Sequence, residues 1–439
     1  MTGQREGGAF QIVPRERHIM PSSLWTHDFL NEMRSKMDPL ADAVVERLFT
    51  EGKVDGINRL MRTLVENDDL PASQLPPYVM EYLARTQASV PKLDPEKLRQ
   101  GQEIFDLFGP EVMMILGFYS LPASYAARKG VQVLYRTGFL QKRPVRRVFE
   151  TAQMVVDVMT EGGMEPDGRG VRTTQKVRLM HAAIRYMIRH DTRHPWDAQE
   201  LGQPINQEDM AGTLMTFAYV VLEGMKALRI DLTPEQQEAW LYAWLAVGRI
   251  LGVDERLMPT NVEEARQLTL LIRQRQVAFS QEGVAMTAAL IEGMQALTPD
   301  ILDGLPASMI HFFLDQDQWQ GLNVADMLQV PKPDWTAIIP QAVKYVCEVT
   351  DWVGDNTFLA AKLLRFISKD IVEGMLLVER GGQRTPFYIP DHLQDRWRIK
   401  PGTRAANSRR RSETEAANLA AAAQLQSAAG QNDSSRKVA

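Results

Sequence analysis

The sequence marks the starts of helices repeatedly. Asp38 and Asp94 each precede a proline, which combines an N-capping carboxylate with proline at the first helical position. Thr233 opens a Thr-Pro-Glu-Gln capping box. After each start, apolar residues recur at spacings of three and four, the period of a helix that packs one face on a core. The chain is therefore predicted to be all-α.

These three helices are predicted to end at Gly52, Gly109 and Gly252. The same spacing predicts helices over 123–136, 144–160, 175–190, 208–228, 262–280, 306–317 and 336–372. The only strands predicted form a hairpin within 375–389, around a Gly-Gly pair. Because no unit repeats along the chain, the pattern favours one large single-domain helical bundle over a solenoid.

Composition divides the chain into three parts. Hydrophobic residues make up 44% and charged residues 24%, as in an ordinary globular protein. We expect an N-terminal arm over 1–22 and a helical domain over 23–400. The segment 401–439 is rich in Arg, Ser, Asn, Gln and Ala, and has too few large apolar groups to offset the entropy of ordering. It is predicted to be disordered.

Charge and cysteine content exclude some classes of protein. Up to residue 400 there are 44 Lys and Arg against 52 Asp and Glu, so no basic surface for nucleic acid is expected. The single cysteine, Cys347, excludes an internal disulfide and a cysteine-based metal cluster.

The N-terminal sequence has no apolar stretch of signal-peptide length, which predicts a cytoplasmic protein. The most apolar stretches, 112–127 and 210–221, are too short or too interrupted to span a membrane and are expected to be core helices or pocket walls. Peripheral contact with a membrane surface stays open.

Seven histidines allow each metal hypothesis to be inspected. His190 and His194 have the i, i+4 spacing of a metal pair, but Pro195 and Trp196 follow directly, so solvated histidines at a helix end are favoured. His181 differs, because it shares the stripe of Val177, Ile184 and Ile188.

A polar imidazole on an apolar stripe requires a partner. Spacing alone favours a core histidine bonded to a carbonyl. The alternative is coordination of a metal carried by a large apolar cofactor. Arg178 and Arg185 emerge beside His181, which suits haem iron with cationic partners for the propionates, but equally suits two surface salt bridges.

The preceding helix places Arg147, Thr151, Met154 and Val158 along one face. Such a mixed face can line a cavity, although an ordinary amphipathic helix has the same pattern. Met113, Met114, Leu116, Phe118 and Met154 are candidate pocket groups, with plain core packing as the alternative.

Together these two helices resemble those of the DUF2236 family, the bacterial rubber oxygenases (latex clearing proteins) and the fungal MpaB-type oxygenases. The resemblance rests on SLPASYAARKGVQVLYRTGFL, RRVFETAQMVVDVMTEGG and GVRTTQKVRLMHAAIRYMI. Later blocks, among them PINQEDMAGTLMTF and MIHFFLDQDQWQGLNVADMLQVP, extend it over about residues 95–335.

The resemblance implies an all-helical, globin-like core around non-covalent haem b. His181 matches the proximal histidine that ligates the iron, within Arg-x-x-His-x-x-x-Arg. Arg178 and Arg185 match the flanking arginines, expected to hold the helix or a propionate. Arg147 and Thr151 match the Arg-x-x-x-Thr of the haem pocket.

Two positions depart from the family pattern. The rubber oxygenases carry Lys immediately before the pocket Thr, where this chain has Glu150, so distal lysine ligation is in doubt. Glu150 is instead a candidate catalytic acid or base beside Thr151. In the late block, His311 stands where many members have Arg.

The activity implied is that of an oxygenase acting with O2 on a carbon–carbon double bond of an apolar, isoprenoid-like small molecule. The expected lack of an export signal argues against an extracellular polymer as substrate. The competing interpretation is a non-catalytic helical protein, either a haem or lipid carrier or an interaction scaffold.

Overall fold

The computed structural model describes residues 24–51, 75–88, 93–137, 144–295, 303–315 and 323–332. The predicted arm, the helix over 336–372, the hairpin over 375–389 and the tail lie outside these residues. So do the side chains at the start of the seventh helix, Arg147 among them. Where the structure describes the chain it is all-α, and a single bridge between Ala127 and Val277 is its one piece of β pairing.

Fifteen α-helices lie in the described residues: α1 His27–Arg34, α2 Pro39–Thr50, α3 Pro77–Gln87, α4 Pro95–Ile115, α5 Leu121–Tyr125, α6 Val131–Thr137, α7 Pro144–Met159, α8 Arg169–Arg189, α9 Ala198–Leu201, α10 Gln207–Ala227, α11 Pro234–Leu251, α12 Val262–Gln276, α13 Gln281–Gln295, α14 Leu305–Leu314 and α15 Val324–Met327. A π-helical turn, Leu116–Ser120, joins α4 to α5, and a 3-10 turn, Glu255–Leu257, follows α11.

The three predicted helix starts are confirmed by their caps. The side chain of Asp38 accepts from the Ala41 amide, and that of Asp94 accepts from two amides of its first turn. Thr233 forms the predicted capping box at the start of α11. That helix ends, as predicted, at Gly252, whose φ of +83° is in the left-handed region.

The predicted helix end at Gly109 is a kink, at which two helical segments meet within one residue of that position. The backbone leaves helical geometry for one residue, at Phe108, and resumes with Pro110 inside α4. A proline removes an intrahelical hydrogen bond and bends a helix, but here the following residues are buried, so packing maintains the helix beyond the kink.

Other boundaries differ from the predicted ones. The helix predicted over 123–136 is two helices, since a turn after Tyr125 brings Ala127 to its bridge with Val277. That bridge also ends α12 at Gln276 rather than at residue 280. Helix α8 begins at Arg169, six residues before the predicted start at 175.

The continuous stretch 95–125 is long and apolar enough to cross a membrane by length and composition. Of its most apolar window, 78% is buried inside the protein. Burial of this kind is typical of a core helix, as predicted for the apolar stretch beginning at residue 112.

The core is built around the pair α4 and α11. A Cβ at Gly101 of α4 would overlap the backbone of Ala239, so glycine permits the two helices to approach closely. On the opposite side of α11, Trp240 and Trp244 are buried against α10, where Trp240 donates to the Ala218 carbonyl at 3.0 Å. This framework supports α7 and α8, which carry the predicted site residues.

Candidate functional site

Helices α7 and α8 form an antiparallel hairpin whose turn brings them into contact. A Cβ at Gly170 would lie 2.7 Å from the Asp157 carbonyl oxygen, so the chain crosses here with room only for glycine. Thr173 donates to the Asp157 carboxylate at 2.7 Å and ties the same ends together. The hairpin places Glu150 and Thr151 on one arm and His181 on the other.

An apolar cavity lies against α7. Its volume is roughly 30 Å³, room for about one or two water molecules. Its walls come from α4, the π-helical turn, α5, α7, α10 and α13: Met113, Met114, Leu116, Gly117, Phe118, Ser120, Leu121, Val148, Thr151, Ala152, Val155, Phe217 and Met294. A π-helical turn in the wall is notable because such turns occur frequently at functional sites.

Four of the five predicted pocket groups are in this wall, namely Met113, Met114, Leu116 and Phe118. The fifth, Met154, is buried on α7 outside the lining. The residues that form the α7 wall are Val148, Thr151, Ala152 and Val155, which follow the 3-4 spacing of one helix face. Of the predicted mixed face, only Thr151 lines the cavity, because the wall is formed by the neighbouring face of α7; Met154 and Val158 are buried outside the lining.

Two hydroxyl side chains belong to the cavity wall. Ser120 donates to the Thr216 carbonyl at 2.7 Å, an interaction that holds the π-helical turn to α10. Thr151 is the other, and its neighbour Glu150 is half-buried. Of the predicted pair, Thr151 lines the cavity and Glu150 does not.

His181 lies half-buried on α8, with its Nδ1 atom buried. Ile184 and Ile188 of the same stripe pack with Val133 of α6 in a small apolar cluster. Val177 packs against the main core. Two members of the predicted stripe, Ile184 and Ile188, are therefore buried together, whereas Val177 and His181 are only partly buried.

Arg178 holds α8 to α2 and α11. Its Nε and Nη2 donate to the two carboxylate oxygens of Asp38 at 2.6 and 2.8 Å, and its Nη1 donates to the Ile250 carbonyl at 2.9 Å. Burial alone would lower the pKa of Arg178, but the hydrogen bonds and charge of Asp38 outweigh it and raise that pKa. The guanidinium therefore stays charged inside the protein.

Arg185 makes a second connection to α2. It is 1% exposed, and its Nε donates to Asp42 at 2.6 Å. Burial raises the pKa of the Asp42 carboxyl against the opposing attraction of Arg185. Both flanking arginines are thus paired with carboxylates of α2 in this structure.

The sequence of this chain is similar to those of known oxygenases. Residues 106–423 match the family described as the catalytic domain of the ER-bound oxygenases mpaB/B′ and the rubber oxygenases. The chain belongs to this oxygenase family. It is 25% identical over 298 residues to the rubber oxygenase of Streptomyces sp. (strain K30), a match that covers 67% of this chain and 70% of that protein.

A solved structure of latex clearing protein in the closed state has a similar fold. It superposes with a TM-score of 0.64 at 21% identity, covering 82% of this chain and 95% of the other. The all-α fold is therefore shared with this oxygenase family. Helix α2, which supplies Asp38 and Asp42, precedes the matched residues 106–423.

The remaining histidines have other surroundings. His190 and His194 are exposed, in agreement with solvated residues at a helix end. His311, at the family's late arginine position, has Nδ1 3.2 Å from Asp315 and donates from Nε2 to the Val330 carbonyl at 3.3 Å. It thus connects α14 to the segment after α15.

The partners of Arg178 and Arg185 could not be predicted from the local sequence. Asp38 was identified only as a helix cap. Its contact with Arg178 spans 140 residues of sequence, and no local pattern reports a pairing of that range. The signal that could have found it is chemical, because two arginines on a buried helix face require carboxylate partners.

Proposed function

We propose that this protein is a haem b-dependent oxygenase that acts with O2 on a carbon–carbon double bond of an apolar, isoprenoid-like substrate. The observation that carries the proposal is the match of residues 106–423, which include Thr151 and His181, to the oxygenase family. Thr151 also lines the small apolar cavity, whose wall contains no residue of α8. Membership of the oxygenase family supports the reaction class, and the rubber oxygenase relative supports the substrate class.

The donor set at His181 suits haem. Among the described residues, no three His, Cys, Asp or Glu side chains are grouped to hold a metal ion. A single imidazole suits an iron that brings its in-plane ligands in a porphyrin.

Each predicted residue has a distinct task in this proposal. His181 holds the iron. Arg178 and Arg185 keep α8 in place, and Arg147 is the remaining cationic candidate for a propionate. Thr151 orients groups at the cavity wall. Bound haem would supply the activation of dioxygen, and the protein contributes access, orientation and polarity.

The cavity suits an apolar group. Its wall is built mainly from Met, Val, Leu and Phe side chains, which suit an unsubstituted hydrocarbon. Methionine adapts its shape to irregular apolar ligands. An alkene lying there would be held beside Thr151.

Absorption spectroscopy with oxygen uptake tests the proposal. We expect the purified protein, reconstituted with haem b if necessary, to show a Soret band, and to consume O2 when given squalene or short polyisoprene. Haem binding with retained squalene but no oxygen uptake would support the carrier instead. Protein that takes up neither haem nor squalene would contradict both and favour the scaffold.

Glu150 is proposed to hold or deliver a proton beside the substrate. General acid–base catalysis typically contributes about 10²–10⁴-fold to a rate. We therefore expect Glu150→Gln to lower kcat with squalene by about this factor, with the Soret absorbance per protein unchanged. A pH profile of kcat that is the same in Glu150→Gln and in wild type would remove Glu150 from acid–base chemistry.

A further inference from the structure

We propose that Asp38 and Asp42 are positioning residues that fix the orientation of α8, and through it the imidazole of His181. This inference rests on the proposed function, because it takes His181 as the haem ligand. It assigns a role in the site to α2, which precedes the residues that match the family.

The first connection is the bidentate pair between the Arg178 guanidinium and the Asp38 carboxylate, here called the fork. Arg178 presents two N–H groups to both oxygens of Asp38, the geometry that gives arginine–carboxylate pairs their directional specificity. The Asp38 side chain is 2% exposed. Asp38 also caps α2, so the orientation of that helix and of the fork are set by one residue.

Gly252 encloses the fork from the other side. A Cβ there would overlap the Arg178 guanidinium, and the residue's φ of +83° is one that glycine adopts without strain. The guanidinium is therefore held between the Asp38 carboxylate and the backbone at the end of α11. It has no room to rotate away from its partner.

The second connection makes the restraint two-point. Arg185 lies seven residues after Arg178, about two helical turns along the same face, and pairs with Asp42. Asp42 lies one turn after Asp38 on α2. A single pair would let α8 pivot about it, whereas two pairs fix its rotation and its position along its axis.

His181 lies between these two points, three residues after Arg178 and four before Arg185. A rotation or shift of α8 would therefore be transmitted directly to the imidazole. Helix α3 adds a third contact, since the Tyr82 hydroxyl donates to the Gln175 carbonyl at 2.9 Å. Three sites along α8 are thus tied to the part of the chain before residue 89.

The test uses Asp38→Asn and Asp42→Asn in the full chain with haem b. Asparagine still caps a helix well, but Asp38→Asn removes the charge and replaces one of the two acceptor oxygens that face Arg178 with an NH2 donor. We expect each variant to weaken haem affinity by about 10–100-fold, the effect typical of partners that orient a ligand. We also expect a shifted iron midpoint potential, which a general loss of stability would not produce.

Glu208→Gln is the matched control. Glu208 is fully buried and pairs with Arg275 at 2.7 Å and Arg34 at 3.5 Å, on α12 and α1. Its loss breaks a buried ion pair without touching the connections of α8. We expect a lower stability of folding with unchanged haem affinity and midpoint potential.

Two glycine-to-alanine variants test the same inference if Asp38→Asn does not fold. Gly252→Ala should displace Arg178 and weaken haem binding. Gly162→Ala should not, because Gly162 has a similar φ of +77° but its Cβ would meet nothing closer than 3.8 Å.

Wild-type protein that takes up no haem would remove the proposed function and this inference with it. Normal haem uptake by wild type, with the aspartate and Gly252 variants matching their controls, would overturn this inference alone.

Discussion

Replacement of His181 by alanine is expected to remove almost all bound haem. The variant loses the one protein atom proposed to bond to the iron, so the effect should exceed the roughly 10–100-fold that follows from changing groups that merely orient a ligand. We expect the Soret absorbance per protein to fall below about a tenth of the wild-type value, measured after reconstitution and gel filtration.

The design separates ligation from folding. His194→Ala is the matched control, since His194 follows the same helix but its side chain is 78% exposed. His181→Gly with added imidazole is a second arm, because free imidazole can occupy the vacated space and should restore the band. Wild-type haem content in His181→Ala would refute the assignment, whatever the activity of that variant.

The helices of this fold are largely predictable because their ends are encoded locally. The caps at Asp38, Asp94 and Thr233 act within one turn of the chain, so the sequence around them is sufficient. The glycine and proline at 109 and 110 likewise mark the kink at Phe108, but they do not show that helical structure resumes directly beyond it. That continuation depends on burial of the following residues against other helices.

In the candidate site, too, features encoded within one helix were predictable and contacts between helices were not. Periodicity placed His181 on an apolar stripe and Thr151 on a cavity face, because both patterns repeat within a single helix. The connections from Asp38 and Asp42 to α8 could not be read from the sequence. From the sequence, each arginine could contact solvent, a cofactor or a carboxylate. The packing of α2 against α8 determines that each contacts a carboxylate.

The buried ion pairs of α8 contribute more to the choice of one helix register than to the free energy of unfolding. Removing both partners of such a pair can be neutral, whereas removing one leaves an uncompensated charge and typically costs about 3–5 kcal/mol. Arg178 and Arg185 are both buried, so their pairing with α2 strongly disfavours other registers of α8. A helix that must present one ring to a cofactor benefits from such a restraint.

Filling the cavity is expected to abolish turnover while leaving haem in place. Ala152 follows Thr151 in the cavity wall, and Ala152→Phe would place an aromatic ring in the space proposed for the alkene. Overpacking typically costs about 1–3 kcal/mol of stability, which a folded domain of this size should survive. We expect kcat/KM for squalene to fall at least about tenfold, the equivalent of about 1.4 kcal/mol of lost transition-state stabilisation.

Ala152→Ser is the control, because it hardly changes the volume of the side chain and should keep most of the activity. Unchanged kcat/KM in Ala152→Phe would show that substrate does not occupy this cavity. Loss of haem from Ala152→Phe, with Ala152→Ser still loaded, would instead place the porphyrin itself against this face of α7. Either result locates the alkene relative to Thr151, and so decides whether Glu150 lies within reach of it.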